Sequence, residues 1–314
     1  MPMQSRKELK KQKKTKKKWK YLWIIIGVLL VGLLIYGLYF YNKLNDTVDT
    51  MYTPLDSDGE KEDEIKDRLS NKDTINVLLL GVDEREGDRG RSDTMMFLSL
   101  NPDTEEMLMF SIPRDTRVNI PGRGEDKINH AYAFGGAELS VQTVEEFLDT
   151  TIHFYSKVNM EGLKDGVDAL GGVTINNERA FSYEGHDFPE GEITLNGDAA
   201  LSYARERKQD SRGDLGRNDR QQKIIDAIIQ EGMSFESFTK VDSILTTVGD
   251  NVETNLQMNE MRKLFLDYRG TRDKTIREEI QGSGQTIGNG WYYVVPNEEQ
   301  QRIQSVVEEH MNKK

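Results

Sequence analysis

"TINVLLLGV", Thr74 to Val82, is a continuous apolar run of strand length. A strand with one face in water alternates apolar and polar side chains, so a continuous run predicts cover on both faces. Two further runs follow, "TMMFLSLN" (94–101) and "EMLMFSIP" (106–113), joined through "NPDTEE", whose Asn-Pro-Asp start is turn chemistry. They are expected to pair as a hairpin. Helical patterns come next. "AELSVQTVEEFLD" carries Leu139, Val141, Val144, Phe147 and Leu148, with Val141, Val144 and the Phe147–Leu148 pair in helical three-to-four spacing, and "NMEGLKDGVDALGG" ends in a glycine pair suited to a helix stop. "NGDAALSYAR" and "NDRQQKIIDAIIQEG" also read as helices, and "WYYVVP" as a strand. Strands first, then helices interleaved with strands, predict a layered α/β domain.

Upstream of Thr74 the texture is different. Residues 21–41, "YLWIIIGVLLVGLLIYGLYFY", carry no charge over twenty-one positions, enough to cross a ~30 Å hydrocarbon core. Tyr21 and Trp23 at one end and Tyr39 and Tyr41 at the other suit the two membrane interfaces. No small-residue cleavage site follows, so the segment is expected to be an uncleaved transmembrane anchor. Ten Lys or Arg against the single Glu8 lie between Arg6 and Lys20. By the positive-inside rule, residues 1–20 form a cytoplasmic basic head and the remainder is extracytoplasmic. Residues 42–73 are polar and acidic and read as a stalk, leaving 74–314 as one folded domain.

The charge balance narrows the chemistry. The chain's net charge is −12, but the head contributes +9, so everything from Tyr21 onward sums to −21. There is no cysteine, which excludes disulfides and thiolate chemistry, and the four histidines are scattered. Gly-x-Ser-x-Gly, Gly-Lys-Ser/Thr and His-Glu-x-x-His patterns are all missing from the sequence. What stands out is arginine in four short segments.

The first, "DEREGDRGRSD" (83–93), puts Asp83 past the end of the first strand and Asp93 before the second, with Arg85 and Arg91 nearby. Two carboxylates at neighbouring strand ends suit Mg²⁺, with Mn²⁺ as the alternative, or else they pair locally with the arginines. The second, "SIPRDTRV", aims Arg114 from a strand exit behind a proline and adds Arg117; the third, "KINHAYAFGG", holds Lys127 ahead of a helix. The fourth is "YARERKQDSRGDLGRNDRQQKII". Arg205 and Arg207 share a side if the chain is extended there. Asn218 reads as an N-cap with Gln221 three positions on, so Arg217 and Gln221 would stand at a positive helix end suited to phosphate. An acidic body needs a concentrated guanidinium cluster to hold a polyanion, and arginine grips phosphate bidentately without deprotonating. Surface pairing with Asp210, Asp214 and Asp219 is the competing reading of the fourth segment.

"LLLGVDER", "RSDTMMF", "SIPRDTRV", "KINHAYAFGG", "VDALGGV", "LNGDAALSYARERK" and "GDLGRNDRQQ" occur in this order between Thr74 and Gly232. In these motifs the sequence resembles the LytR–CpsA–Psr family of membrane-anchored cell-wall enzymes, and its tail "GSGQTIGNGWYYVVP" is similar to that of the wall-teichoic-acid subgroup. The resemblance implies an α/β fold with a central mixed sheet flanked by helices and an apolar cavity for a polyprenyl chain. It implies a phosphotransferase that moves an anionic glycopolymer from polyprenyl pyrophosphate onto peptidoglycan, at the C6 hydroxyl of N-acetylmuramic acid. Asp83 and Asp93 would hold Mg²⁺, and Arg91, Arg114, Arg205, Arg207, Arg217 and Gln221 would bind pyrophosphate. Arg91, Asp93 and Arg114 are the expected catalytic residues, and Arg85, Arg117 and Lys127 complete the expected phosphate-binding set. Asp214 stands in the family's Asp-Gly-Asp-x-x-Arg position, but "SRGD" departs from its acid–glycine order, which leaves the roles of Asp210 and Asp214 open. Expected partners are the lipid-linked glycopolymer, peptidoglycan and the membrane. Transfer to water by the same site, as a pyrophosphatase, remains open. A regulator that touches DNA through its basic head is disfavoured because residues 1–20 lack apolar periodicity, so no nucleic-acid partner is expected.

Overall fold

Strands β1 (Ile75–Val82), β2 (Ser92–Asn101) and β3 (Glu106–Ser111) form the centre of a six-stranded sheet in a computed structural model of the chain. The structure describes residues 45–83, 90–207, 209–210, 212–234 and 241–314. β1 and β2 pair antiparallel, as do β2 and β3, with Phe97 opposite Phe110 and their rings stacked 4.9 Å apart. The expected hairpin is therefore present. Its turn is held by Asn101, whose Oδ1 accepts from the backbone N–H groups of Asp103 and Thr104.

Around this centre the order is β11 (Val252–Thr254), β6 (Phe154–Asn159), β1, β2, β3, β12 (Lys274–Arg277). β6 runs parallel to β1 and β12 parallel to β3, while β11 is antiparallel to β6, so the sheet is mixed. Alternate residues of each central strand enter opposite cores. Leu78, Leu80, Val82, Phe97 and Phe110 face one side, where α2 (His130–Leu148) and the C-terminal helix pack through Val144, Phe147, Ile303 and Val307. Ile75, Val77, Met96, Leu98 and Met109 face the other, with Ile65, Leu69, Leu264 and Tyr268. Cover on both faces is why these strands carry no polar alternation. A third cluster forms beside the sheet, around α3 (Met160–Leu170), β7 (Val173–Asn177) and α4 (Gly197–Arg205), from Val167, Ile175, Ala200, Tyr203 and Ile224. Gly171, at φ 90°, ends α3 as its glycine pair predicts.

The boundary expected at Thr74 moves towards the N-terminus. Residues 58–71 form helix α1 (Asp58–Asn71), not part of a stalk, and Ile65 and Leu69 are buried against the sheet. Asn255 donates to Asp58, and Tyr268 donates from its hydroxyl to the Asp73 carbonyl, so α1 is tied in at both ends. Two apolar residues four apart make a stripe too narrow to signal a packed helix amid so many charges. Thr47 to Lys314 cluster as one unit. The expected head and anchor, 1–41, lie outside the described residues; among the described residues no helix is long and apolar enough to cross a membrane.

Candidate active site

The register of β1 against β2 is regular to Gly81–Thr94 and then shifts, so that Val82 pairs with Ser92. Asp93 is the residue left over. A bulge of this kind re-aims the side chain of the extra residue, and Asp83 follows Val82 on the adjoining strand. β3 brings the third component: Ser111 pairs with Met96, and the chain then turns through Pro113, Arg114, Asp115 and Thr116. The backbone N–H and hydroxyl of Thr116 both donate to the Pro113 carbonyl, and the backbone N–H of Asn129 donates to that of Arg114. So anchored, Arg114 donates from Nη1 to Asp93 Oδ1 at 2.9 Å. Its Nε lies 3.6 Å from Asp115, whose other oxygen accepts from Lys127 Nζ at 2.6 Å. Asp93, Arg114, Asp115 and Lys127 therefore form one connected cluster at the sheet end.

Arg117 sits on β4 (Arg117–Ile120), opposite Lys127 of β5 (Gly124–Lys127), and its guanidinium goes to Glu125 across that hairpin. It serves the hairpin more directly than the cluster. Arg91 is exposed at the entry to β2, and Arg85 lies outside the described residues. His130 starts α2 with its ring Nδ1 2.8 Å from Asp126.

The fourth arginine segment is built differently from its sequence pattern. The helix expected from Asn218 begins at Asp214: α5 spans Asp214–Gly232, so Asn218 is interior and Arg217 lies in the first turn. The capping pattern is locally sound, but Asp210 starts the turn earlier. Its Oδ1 accepts from the backbone N–H of Arg212, and its carbonyl accepts from Gly213. The buried guanidinium of Arg220 then bridges Asp210 (2.7 Å) and Glu206 (3.0 Å), over the Phe181 ring of β8 (Phe181–Tyr183). Burial alone would raise the Asp210 carboxyl, but hydrogen bonds from Arg212 and Arg220 outweigh it and hold the group well below the usual carboxylate range. Asp210 is thus a buried ion-pair member. Gly216 is where α5 passes this carboxylate: a Cβ there would lie 2.0 Å from Asp210 Oδ2.

Arg205 ends α4 and Arg207 follows; both are exposed, while Glu206 between them is buried. The two arginines therefore leave one side of the chain, held there by Glu206. Arg217 and Gln221 are half-buried in the first turns of α5, and Gln221 Oε1 is buried with no partner among the described residues. The adjoining Gln222 donates to Ser111 Oγ at 3.1 Å, which fastens this half of α5 to the end of β3, three residues before Arg114. Arg220 and Glu206 were not singled out from sequence: Arg217 and Arg220 share one motif, and only packing tells which of them is buried.

A central mixed sheet with paired carboxylates and arginines at its strand ends defines a class. The chain belongs to the LytR_cpsA_psr family, whose model matches residues 38–309, a longer span than the motifs alone cover. Among its relatives is the polyisoprenyl-teichoic acid–peptidoglycan teichoic acid transferase TagU of Oceanobacillus iheyensis, 52% identical over 98% of this chain and 99% of that protein. The crystal structure of B. subtilis TagU is 42% identical with a TM-score of 0.64, covering 77% of this chain and 98% of that one. A structure of TagT bound to LI-WTA is 30% identical with a TM-score of 0.66, covering 77% and 91%.

Proposed function

We propose that this protein is a phosphotransferase that moves wall teichoic acid from its polyprenyl-pyrophosphate carrier onto peptidoglycan, as the names of its closely similar relatives describe for them. The observation that carries the reading is the contact of Arg114 with Asp93 at the bulge between β1 and β2. It sets a fixed guanidinium on one strand-end carboxylate, with Asp83 following the end of the adjoining strand, an arrangement suited to a pyrophosphate.

In the reaction, the C6 hydroxyl oxygen of the acceptor sugar forms a bond to the phosphorus that carries the polymer. The bridging P–O bond breaks, polyprenyl phosphate departs, and the hydroxyl proton passes to a base or to solvent. Arg114 stabilises charge on the phosphate oxygens. Arg91, Arg205, Arg207, Arg217 and Gln221, with Lys127 through Asp115, supply further donors. Because its backbone is clamped, Arg114 needs little reorganisation as charge develops. The all-oxygen donor set of Asp83 and Asp93 fits Mg²⁺, its shell completed by phosphate oxygens and water. When bound, such an ion neutralises developing charge on the departing phosphate. Residues 21–41 tether the domain to the membrane face that presents the carrier, which turns encounter into positioning.

The test is reconstitution of the full chain in nanodiscs with a lipid-linked teichoic-acid precursor, Mg²⁺ and uncrosslinked glycan strands. A covalent polymer–glycan product is expected. Release of free polymer phosphate with no conjugate would instead mark a pyrophosphatase.

A further inference from the structure

"IQGSGQTIGNGWYYVVP", Ile280 to Pro296, contains no charged residue in a chain that is 31% charged. It forms a two-stranded hairpin, β13 (Ser283–Ile287) with β14 (Gly290–Val294). The ribbon abuts the cluster described above. The Tyr293 backbone N–H donates to the Asp115 carbonyl at 2.8 Å, and Lys127 Nζ lies 5.8 Å from the centre of the Tyr292 ring. On its other face the Tyr293 hydroxyl donates to the Ile280 carbonyl at 3.0 Å. Ile280 lines a cleft of about 340 Å³ with Ser111, Pro113 and Gln222 and with charged side chains that include Arg212, Arg277 and Glu279.

Trp291 shares the Tyr293 face, opposite Thr286, and is 48% exposed. Its indole lies against the backbone of the neighbouring strand: a Cβ on Gly284 would come within 2.7 Å of Cζ2 and 2.9 Å of Nε1. Gly284 is not among the positive-φ glycines. Glycine in a strand interior is unfavourable without such a reason, so its missing side chain makes room for the ring. The result is a large aromatic fixed on one side and half open on the other, with Thr286 beside it.

A ribbon without charge is a poor match for phosphate or for anionic lipid heads, both of which need Lys or Arg. It suits a neutral polyhydroxylated ring, whose C–H face packs on an aromatic face while a hydroxyl reaches the neighbouring threonine. We propose that Trp291 is a stacking platform for a sugar ring of the acceptor glycan, and that β13–β14 presents that glycan to the Arg114–Asp93 cluster. The proposal names the acceptor subsite of the transferase reading and rests on it for the word acceptor.

The experiment uses the full chain in neutral phosphatidylcholine nanodiscs and an uncharged β-1,4-linked N-acetylglucosamine tetramer as probe, titrated calorimetrically. Trp291→Ala should weaken tetramer binding about tenfold, the scale of one lost aromatic contact. Trp291→Phe should weaken it less. Gly284→Ala, which keeps the indole but displaces it, should weaken it as well. Binding of the lipid-linked donor and the thermal unfolding midpoint should be unchanged, and in transfer assays acceptor KM should rise while kcat holds. The proposal is overturned if wild-type protein does not bind the tetramer, or if Trp291→Ala binds it equally well. It is also overturned if the variant's loss is confined to the donor or to anionic vesicles. Tetramer binding that depends on Trp291, in a protein that forms no conjugate, would retire the transferase reading and leave a sugar-binding platform.

Discussion

Arg114 is held by its backbone before its side chain does anything. Pro113 fixes the direction of exit from β3, Thr116 closes the turn, and Asn129 donates to the Arg114 carbonyl. A lysine in its place would keep the charge but lose the planar fork. Arg114→Ala is expected to lower transfer about 10²–10³-fold, the usual consequence of removing one preorganised donor. Arg114→Lys should recover only part of that loss. Both variants should unfold cooperatively near the wild-type midpoint, since the Arg114 side chain is partly exposed. Asp93→Asn is expected to abolish transfer in the same assay. A large drop in melting temperature for either position would recast the pair as a structural salt bridge.

At the scale of elements, α5 joins the site to the rest of the molecule. Ile225 and Ile229 pack towards the sheet, Ile224, Ala227 and Ile228 towards the third cluster, and Gln222 bonds the end of β3. Its start is fixed by Asp210, Arg220 and Glu206, all three nearly inaccessible. Breaking a buried ion pair from one side leaves an uncompensated charge and costs typically about 3–5 kcal/mol. Arg220→Ala should therefore unfold at clearly lower urea concentration and lose activity with it. Arg217→Ala, on the same helix, should lose phosphate binding with a far smaller stability change. Gly216→Ala should also destabilise, because the added methyl meets the Asp210 carboxylate. Equal stability losses for Arg217→Ala and Arg220→Ala would contradict this division of labour.

Over the whole molecule, acid should act in two windows. His153 is completely buried; its Nδ1 accepts from the backbone N–H of Asn76, while its Nε2 faces Glu64 at 3.6 Å. Burial, assisted by Arg68 and Lys61 against the pull of Glu64, lowers its pKa to about 4. Between there and the unfolded value near 6.5 the unfolded state binds the extra proton, so stability falls as pH drops through this range, by on the order of 2–3 kcal/mol. Glu106 is held at about 2 by Lys274 and Lys313, which clamp β12 and the C-terminus to β3. Its contribution is present above the unfolded carboxylate value near 4.3 and is lost as pH falls towards 2. Urea midpoints measured from pH 7 to pH 2 should decline in both windows. Glu106→Gln should flatten the lower one and His153→Asn, whose amide oxygen can still accept from Asn76, the upper one. Unchanged profiles would place acid sensitivity elsewhere.

How much of this was legible in the sequence depended on range. The central strands were readable because burial on both faces leaves an unbroken apolar run, and the α3 stop because the αL position at Gly171 favours glycine. Strand-end placement singled out Asp93 and Arg114, which meet in the fold, and Asp83, which follows the end of β1. The start of α5 was misread because Asn218 and Gln221 form a valid local cap, and nothing local reveals that Asp210 is already committed to a buried arginine. α1 was missed because two apolar residues carry too little pattern to register.

The central strands, the longer helical segments and the family were legible from local pattern and ordered motifs. Packing alone makes Asp93 the bulged residue that meets Arg114, puts Arg220 rather than Arg217 in the buried ion pair, and sets the Trp291 indole against Gly284 of the neighbouring strand. Each of those depends on contacts between residues far apart in the chain. Register, burial and the approach of one backbone to another are properties of the packed molecule, and no stretch of the sequence contains them alone.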